Sequence, residues 1–196
     1  MIDPGHGGED QGAQLNERVV EKDITLALAR KLRTELQDRG VPAVLLREGD
    51  STLSYDQRAV ATNSQRAALY IGIHAGVPGA GVRVYTAMMP APGELKKHGG
   101  PFVPWKSAQS EYLVRSQTIA NSLVAEFSKV RLVSGSAAAP LPPLNSIAAP
   151  AVAIEVAPPT VSSKPEALNA QRYQQAIAIA AATAIANVRA RIEERP

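Results

Sequence analysis

Apolar residues recur every four positions from Ile24 through Leu28 and Leu32 to Leu36, with Lys31, Arg33, Glu35 and Asp38 between them. That spacing predicts an amphipathic helix from Glu21 to Arg39, and Gly40 stands where such a helix stops. Ala43 to Leu46 predicts a short buried strand. Ser54, with Gln57 three residues on, forms a capping box that opens a helix running to about Arg66. Leu69 to His74 predicts a second strand. From Gly81 to Thr86, Val82, Val84 and Thr86 alternate with Arg83 and Tyr85, the pattern of a strand with one wetter face near a sheet edge.

The pattern dissolves between Ala87 and Ser107, where Pro90, Pro92, Gly93, Gly99, Gly100, Pro101 and Pro104 predict a long loop. Leu113, Gln117, Ala120, Val124 and Phe127 then mark one face of a further helix. A proline-rich connector from Ala139 to Pro150 leads into the apolar strand Ala151 to Ala157, interrupted only by Glu155 and ended by Pro158-Pro159. The last helix, from about Asn169 to Glu194, carries Tyr173, Ile177, Ala181, Ile185, Val188 and Ile192 on one side. Strands alternating with amphipathic helices imply an α/β fold: one domain over residues 1–196, with a mostly parallel twisted sheet covered by helices on both faces. The chain opens almost at once on the turn Pro4-Gly5, which predicts a first strand cut short at its start.

Composition narrows the functional classes. The 196 residues are 45% hydrophobic, enough to bury the core of one domain. Lys+Arg exceed Asp+Glu by 21 to 18, so the net charge of +3 is no nucleic-acid footprint. Aromatic residues make up 4%, leaving little for base stacking or an aromatic sugar groove. The absence of cysteine excludes disulfides, thiolate metal sites and a cysteine nucleophile, so any metal must sit on histidine and carboxylate. No apolar run reaches the roughly 18 residues of a transmembrane segment, and no export signal stands in these residues.

In sheets of this kind reactive groups gather at the carboxyl ends of strands and the starts of helices. His6 follows the tight Pro-Gly turn, His74 ends a strand, and Glu21 opens the first long helix. Two imidazoles and a carboxylate suit zinc, which then keeps a fourth position for water and hydrolytic chemistry, with a neighbouring carboxylate to carry the proton. Glu155 is a candidate for that carboxylate. From the residues alone, alternatives stay open: His6 is as readily a solvent-facing turn residue, His74 a hydrogen-bonded strand end, and Glu21 a first-turn acid that stabilises the helix dipole. Glu155 differs, because a charge inside an apolar strand must be paired, metal-bound or protonated. Gly5 to Gly12 lacks the Lys-Ser/Thr of a phosphate loop, and no Gly-x-Ser-x-Gly elbow occurs.

The string Ile2-Asp3-Pro4-Gly5-His6-Gly7-Gly8-Glu9-Asp10-Gln11-Gly12-Ala13 resembles the opening signature of the zinc-dependent N-acetylmuramoyl-L-alanine amidases of bacterial cell walls. Glu21-Lys22-Asp23, the segment from Arg47 through Ser54 to Arg58, Tyr70 to Ala75, and Pro150 to Glu155 are similar to further motifs of that family, so the resemblance covers nearly the whole chain. It implies His6, Glu21 and His74 as Zn2+ ligands and Glu155 as general base and acid. It also implies a peptidoglycan substrate, cleaved between N-acetylmuramic acid and L-alanine, and a periplasmic or extracellular place of work. A monomer is expected, with room for an activator protein. Two rival functions are a peptidoglycan-binding module with impaired catalysis and a zinc hydrolase of another cell-wall amide. Both are motivated by departures from the family pattern: Ala75-Gly76 where Ala-Asn is usual, and Val156-Ala157-Pro158-Pro159 after the catalytic strand. The 87–107 stretch is expected to form a rim or lid over the site, with Glu94 and His98 facing solvent. Trp105 is expected either to stack on substrate or to pin that loop.

Overall fold

A computed structural model of the chain describes residues 1–76, 78–89 and 105–193. Five strands make its central sheet: β1 (Ile2–Pro4), β4 (Tyr70–Ala75), β5 (Val82–Ala87), β6 (Ser134–Ala139) and β7 (Ala151–Val156), with a small hairpin of β2 (Gln14–Asn16) and β3 (Val19–Val20) beside it. The strand order is β1-β4-β7-β5-β6. Strands β1, β4 and β7 run parallel, β5 is antiparallel to β7, and β6 is parallel to β5. The helices are α1 (Glu21–Asp38), α2 (Tyr55–Ser64), α3 (Leu113–Lys129), α4 (Gln171–Asn187) and the short α5 (Arg189–Glu193).

Side chains alternate across a strand, so the sheet has two distinct faces. On one, Ile71, Ile73 and Ala75 of β4, Val152, Ile154 and Val156 of β7, and Val82 and Val84 of β5 pack against α1, α3 and α4. The apolar stripe Ile24, Leu28, Leu32 and Leu36 of α1 is buried there, as its spacing requires. Helix α4 contacts both α1 and α3, and its alanines at 178, 180, 181, 182 and 184 are all buried, which lets the three helices approach closely. The second face carries Tyr70, Ala151 and Ala153 under Ala59 of α2 and under Leu144 and Ile147. Alternation therefore leaves His74, Glu155 and Arg83 on this thinner-covered second face.

The capping box of α2 is present in both directions, Gln57 N–H to the Ser54 side chain and Ser54 N–H to the Gln57 side chain. Other elements depart from the sequence reading. Ala43 to Leu46 is no strand; it meets the sheet through one parallel bridge between Leu45 and Ile2, held by the Ile2 N–H to Val44 O and the Leu46 N–H to Ile2 O. Strand β1 lies between Leu45 and β4. Strand β5, by contrast, lies near the edge as its alternation indicated, with β6 beyond it, and its wetter side, Arg83 and Tyr85, faces the site described below. The stripe of α3 is turned from the expected one: Ser116, Ile119, Ala120, Leu123 and Phe127 are buried while Gln117 is exposed. The last helix breaks at Val188 into α4 and α5. Glu94 and His98 lie outside the described residues, as does the Trp105 side chain; its backbone opens a 3-10 turn, Trp105–Glu111.

Gly76, directly after β4, has φ +108°, and a Cβ there would stand 2.7 Å from Leu15 Cδ2. The substitution Gly76→Ala is expected to cost about 1–3 kcal/mol through backbone strain and overpacking. A shift of the urea midpoint, read by circular dichroism, measures it; an unchanged midpoint contradicts the strain.

Candidate metal centre

Strand β1 delivers the chain into a turn in which His6 itself has φ 60°, a left-handed conformation uncommon for a non-glycine residue. Two buried arginines hold that turn by its carbonyls. Arg47 donates from Nε to Pro4 O (3.0 Å) and from Nη2 to Gly5 O (3.0 Å). Arg58 donates from Nη1 to Pro4 O (3.0 Å) and from Nη2 to His6 O (2.9 Å). Arg58 is anchored in turn by an ion pair with Asp3, whose other oxygen accepts from the Tyr70 hydroxyl. Burial raises the Asp3 carboxyl above its ordinary value against the pull of Arg58, and it raises the Tyr70 phenol.

Helix α1 begins at Glu21, so this carboxylate lies at the positive end of the helix dipole. Its Oε1 is 3.1 Å from His6 Nε2 and 3.0 Å from His74 Nδ1, and it accepts from the N–H of Ala75 at 3.1 Å. Its Oε2 accepts from the N–H of Ala13 at 2.9 Å. The two imidazole rings stand edge to face with centroids 5.2 Å apart. One ligand atom from each of His6, Glu21 and His74 lies within 4.8 Å of the other two. Tetrahedral zinc with bonds of about 2.0–2.2 Å needs ligand atoms about 3.3–3.6 Å apart, so this donor set fits the ion with small adjustments. Gly12 lets the centre close: a Cβ there would stand 2.6 Å from both Glu21 Oε2 and His6 Cδ2.

Electrostatics favour an ionised Glu21. Burial alone would raise its carboxyl, but donors from His6, His74, Ala13 and Ala75 outweigh that and hold it far below the usual carboxylate range. The hydrogen bond to Glu21 raises the His6 imidazole above its ordinary value, against desolvation and with help from Asp10. His6 Nδ1 lies 2.9 Å from each Asp10 oxygen, which turns Nε2 toward Glu21. Burial pushes the Asp10 carboxyl up, yet His6 and the Gly12 N–H bring it below its ordinary value.

Glu155 stands beside this cluster without being one of its three members. In the sheet register it is the partner of His74 on β4 and of Arg83 on β5, so the three side chains leave the same face in one row. A cleft of about 710 Å³ opens over His6 and His74, walled by Thr52, Leu53, Ser54, Tyr55, Pro142 and Pro143. The four residues singled out from sequence thus fall at the ends of β1, β4 and β7 and at the start of α1. The sequence reading missed Asp10 as the partner of His6 and assigned no task to Arg47 or Arg58. An acid four residues after a candidate ligand histidine was the available signal for Asp10. Nothing in local spacing marks the two arginines, which act across more than 40 positions of sequence.

A largely parallel sheet that gathers two imidazoles and a carboxylate at its strand ends defines an α/β protein with a candidate metal site. The family model for N-acetylmuramoyl-L-alanine amidases matches residues 1–187, and the chain belongs to that family. Over 76 residues, 38% of the chain, it is 40% identical to the amidase AmiC of Escherichia coli, a stretch that is 18% of that protein. Over 87 residues it is 37% identical to the germination-specific N-acetylmuramoyl-L-alanine amidase of Bacillus subtilis, covering 37% of this chain and 36% of that one. The matched stretch is thus a minor part of either relative. Among solved structures it resembles the amidase AmiC2 of Nostoc punctiforme with a TM-score of 0.70 at 23% identity, over 96% of this chain and 95% of that one. It resembles the CwlD amidase of Clostridioides difficile, solved with the GerS lipoprotein, with a TM-score of 0.69 at 24% identity over 96% of both chains. These structural likenesses show the fold.

Proposed function

We propose that residues 1–196 form one catalytic domain, a zinc-dependent amidase that cuts the amide between N-acetylmuramic acid and the L-alanine of the stem peptide in bacterial peptidoglycan. The observation that carries this reading is the convergence of His6, Glu21 and His74 within 4.8 Å, with Glu155 in the adjoining register position, in a chain of this family. His6 Nε2, a Glu21 oxygen and His74 Nδ1 would hold the metal. Zinc there would supply Lewis acidity, polarising the amide carbonyl and acidifying water. Glu155 accepts the proton of the water that attacks the carbonyl carbon, then gives it to the leaving nitrogen as the C–N bond breaks. Asp10 fixes the orientation of His6, and the two arginines fix the turn that carries it.

The substrate lies outside the cytoplasmic membrane, so the domain is proposed to act there, as a monomer, with an activator protein compatible with this reading. No described helix is long and apolar enough to cross a membrane. The test is digestion of purified peptidoglycan followed by end-group analysis. New amino-terminal alanine without new reducing sugar ends supports the amidase; new reducing ends, or amino termini of any other residue, contradict it.

Zinc binding is expected to depend on pH with a definite sign. His6 in the metal-free protein has its pKa raised by its hydrogen bond to Glu21, so the metal competes with a proton there up to a higher pH than at an ordinary imidazole. Affinity therefore rises with pH until the raised His6 pKa is passed and is flat above it. Calorimetry in buffers of different ionisation enthalpy should show proton release on zinc binding that diminishes as pH rises through the raised His6 pKa. No release would contradict His6 as a ligand.

A further inference from the structure

The row His74, Glu155, Arg83 continues past the proposed catalytic glutamate onto β5. Beyond Glu155 the sheet surface forms a second groove of about 560 Å³, lined by Arg83, Tyr85 and residues 133–137. Its floor is bare: Gly135 and Ala137 of β6 are the register partners of Arg83 and Tyr85, and a Cβ at Gly135 would meet nothing within 4 Å. The Arg83 guanidinium is half-buried and held at one point, Nη1 donating to Pro78 O at 3.1 Å in the turn between β4 and β5. That is its one hydrogen bond among the described residues, which leaves most of a five-donor fork for a ligand.

The two flanks of the site therefore differ in chemistry. On the His6 side, Thr52, Ser54, Tyr55, Pro142 and Pro143 offer hydroxyls and rings, and Asp10 adds negative charge. On the Glu155 side stands a cation over a bare floor. Neighbouring strands lie about 4.7–4.9 Å apart, so Arg83 is rooted one strand spacing beyond Glu155. One residue of extended peptide spans about 3.3–3.6 Å, which brings the group borne by the second stem residue within reach of the Arg83 fork. In peptidoglycan that residue is D-glutamate linked through its γ-carboxyl, and its α-carboxyl hangs free or as a carboxamide.

We propose that Arg83 and the groove beside it receive the stem peptide, with the guanidinium binding the free α-carboxylate of the D-glutamyl residue, while the sugar lies on the Tyr55 side. This assignment rests on the amidase reading, and it makes the domain selective for unamidated stem peptides.

Two muramyl tripeptides that differ only in carboxylate or carboxamide at this α position test it. The wild-type protein should show kcat/KM about 10- to 100-fold higher for the carboxylate, the scale of one charge-assisted fork. In Arg83→Gln the ratio should collapse to about 1, in Arg83→Glu it should invert, and Arg83→Lys should fall between, keeping charge without the fork. The corresponding free tripeptides give a readout that needs no turnover. Their affinities for zinc-loaded protein, measured by calorimetry, should show the same preference and the same loss in Arg83→Gln. Cleavage with no carboxylate preference, or a preference that survives Arg83→Gln, overturns the Arg83 subsite and leaves the amidase reading intact. Arg83-dependent binding of the carboxylate tripeptide without cleavage of either muramyl substrate supports the subsite and overturns the amidase reading.

Discussion

Glu155→Gln is expected to fold, to retain zinc and to lose turnover by about 10²- to 10⁴-fold, the usual contribution of a positioned general acid and base. Glutamine keeps the size of the side chain within the apolar strand β7 but cannot accept a proton. Zinc should remain because the three convergent ligand atoms belong to His6, Glu21 and His74. The contrast is His74→Ala, in which both activity and metal should be lost. Rates on a soluble muramyl peptide, together with metal content after dialysis, separate the two cases. A Glu155→Gln protein that works at the wild-type rate would assign the proton transfers elsewhere, and one that loses its zinc would make Glu155 a ligand.

Arg58→Ala is expected to have the largest effect on stability. The side chain is buried and donates to the carbonyls of Pro4, His6 and Leu53 while pairing with the buried Asp3. Removing it leaves Asp3 with the Tyr70 hydroxyl, takes the side-chain donor from the His6 and Leu53 carbonyls and leaves Pro4 O with Arg47, so a loss of about 3–5 kcal/mol is expected, as for breaking a buried ion pair. The raised pKa of Asp3 gives partial relief, since this carboxyl can take up a proton once its partner has gone. The double variant Asp3→Asn/Arg58→Leu should therefore recover part of the loss. Urea unfolding of the metal-free protein measures these terms without the linkage that zinc would add. A cost below about 1 kcal/mol for Arg58→Ala would mean that the clamp under His6 is dispensable.

What the sequence disclosed follows the reach of its signals. Helix α1 was legible end to end because Ile24, Leu28, Leu32 and Leu36 keep a helical period and Gly40 closes it. Strand β7 was legible because a run of apolar residues suits a strand buried on both faces. Strand β6, Ser-Gly-Ser-Ala-Ala-Ala, was not: its small side chains carry no alternation, and it exists through pairing with β5. The stripe of α3 was misplaced because its buried face includes Ser116, which donates to Gln109 and takes the N–H of Ala151, so a polar residue serves the core there. In the site, the proposed ligand and base residues were named from motifs, while the groups that orient them were not. Arg47 and Arg58 reach the His6 turn only through the folded chain, and Arg83 gains meaning only from the register that sets it beside Glu155.

The most direct test of the zinc-amidase reading is mass spectrometry of the products formed from a purified muramyl tripeptide by the zinc-loaded protein, with a chelated sample and Glu155→Gln alongside. The account predicts free N-acetylmuramic acid and an intact tripeptide beginning with L-alanine, appearing with zinc and absent from the chelated sample. Fragments cut within the peptide, deacetylated sugar, or the same products after chelation would contradict it.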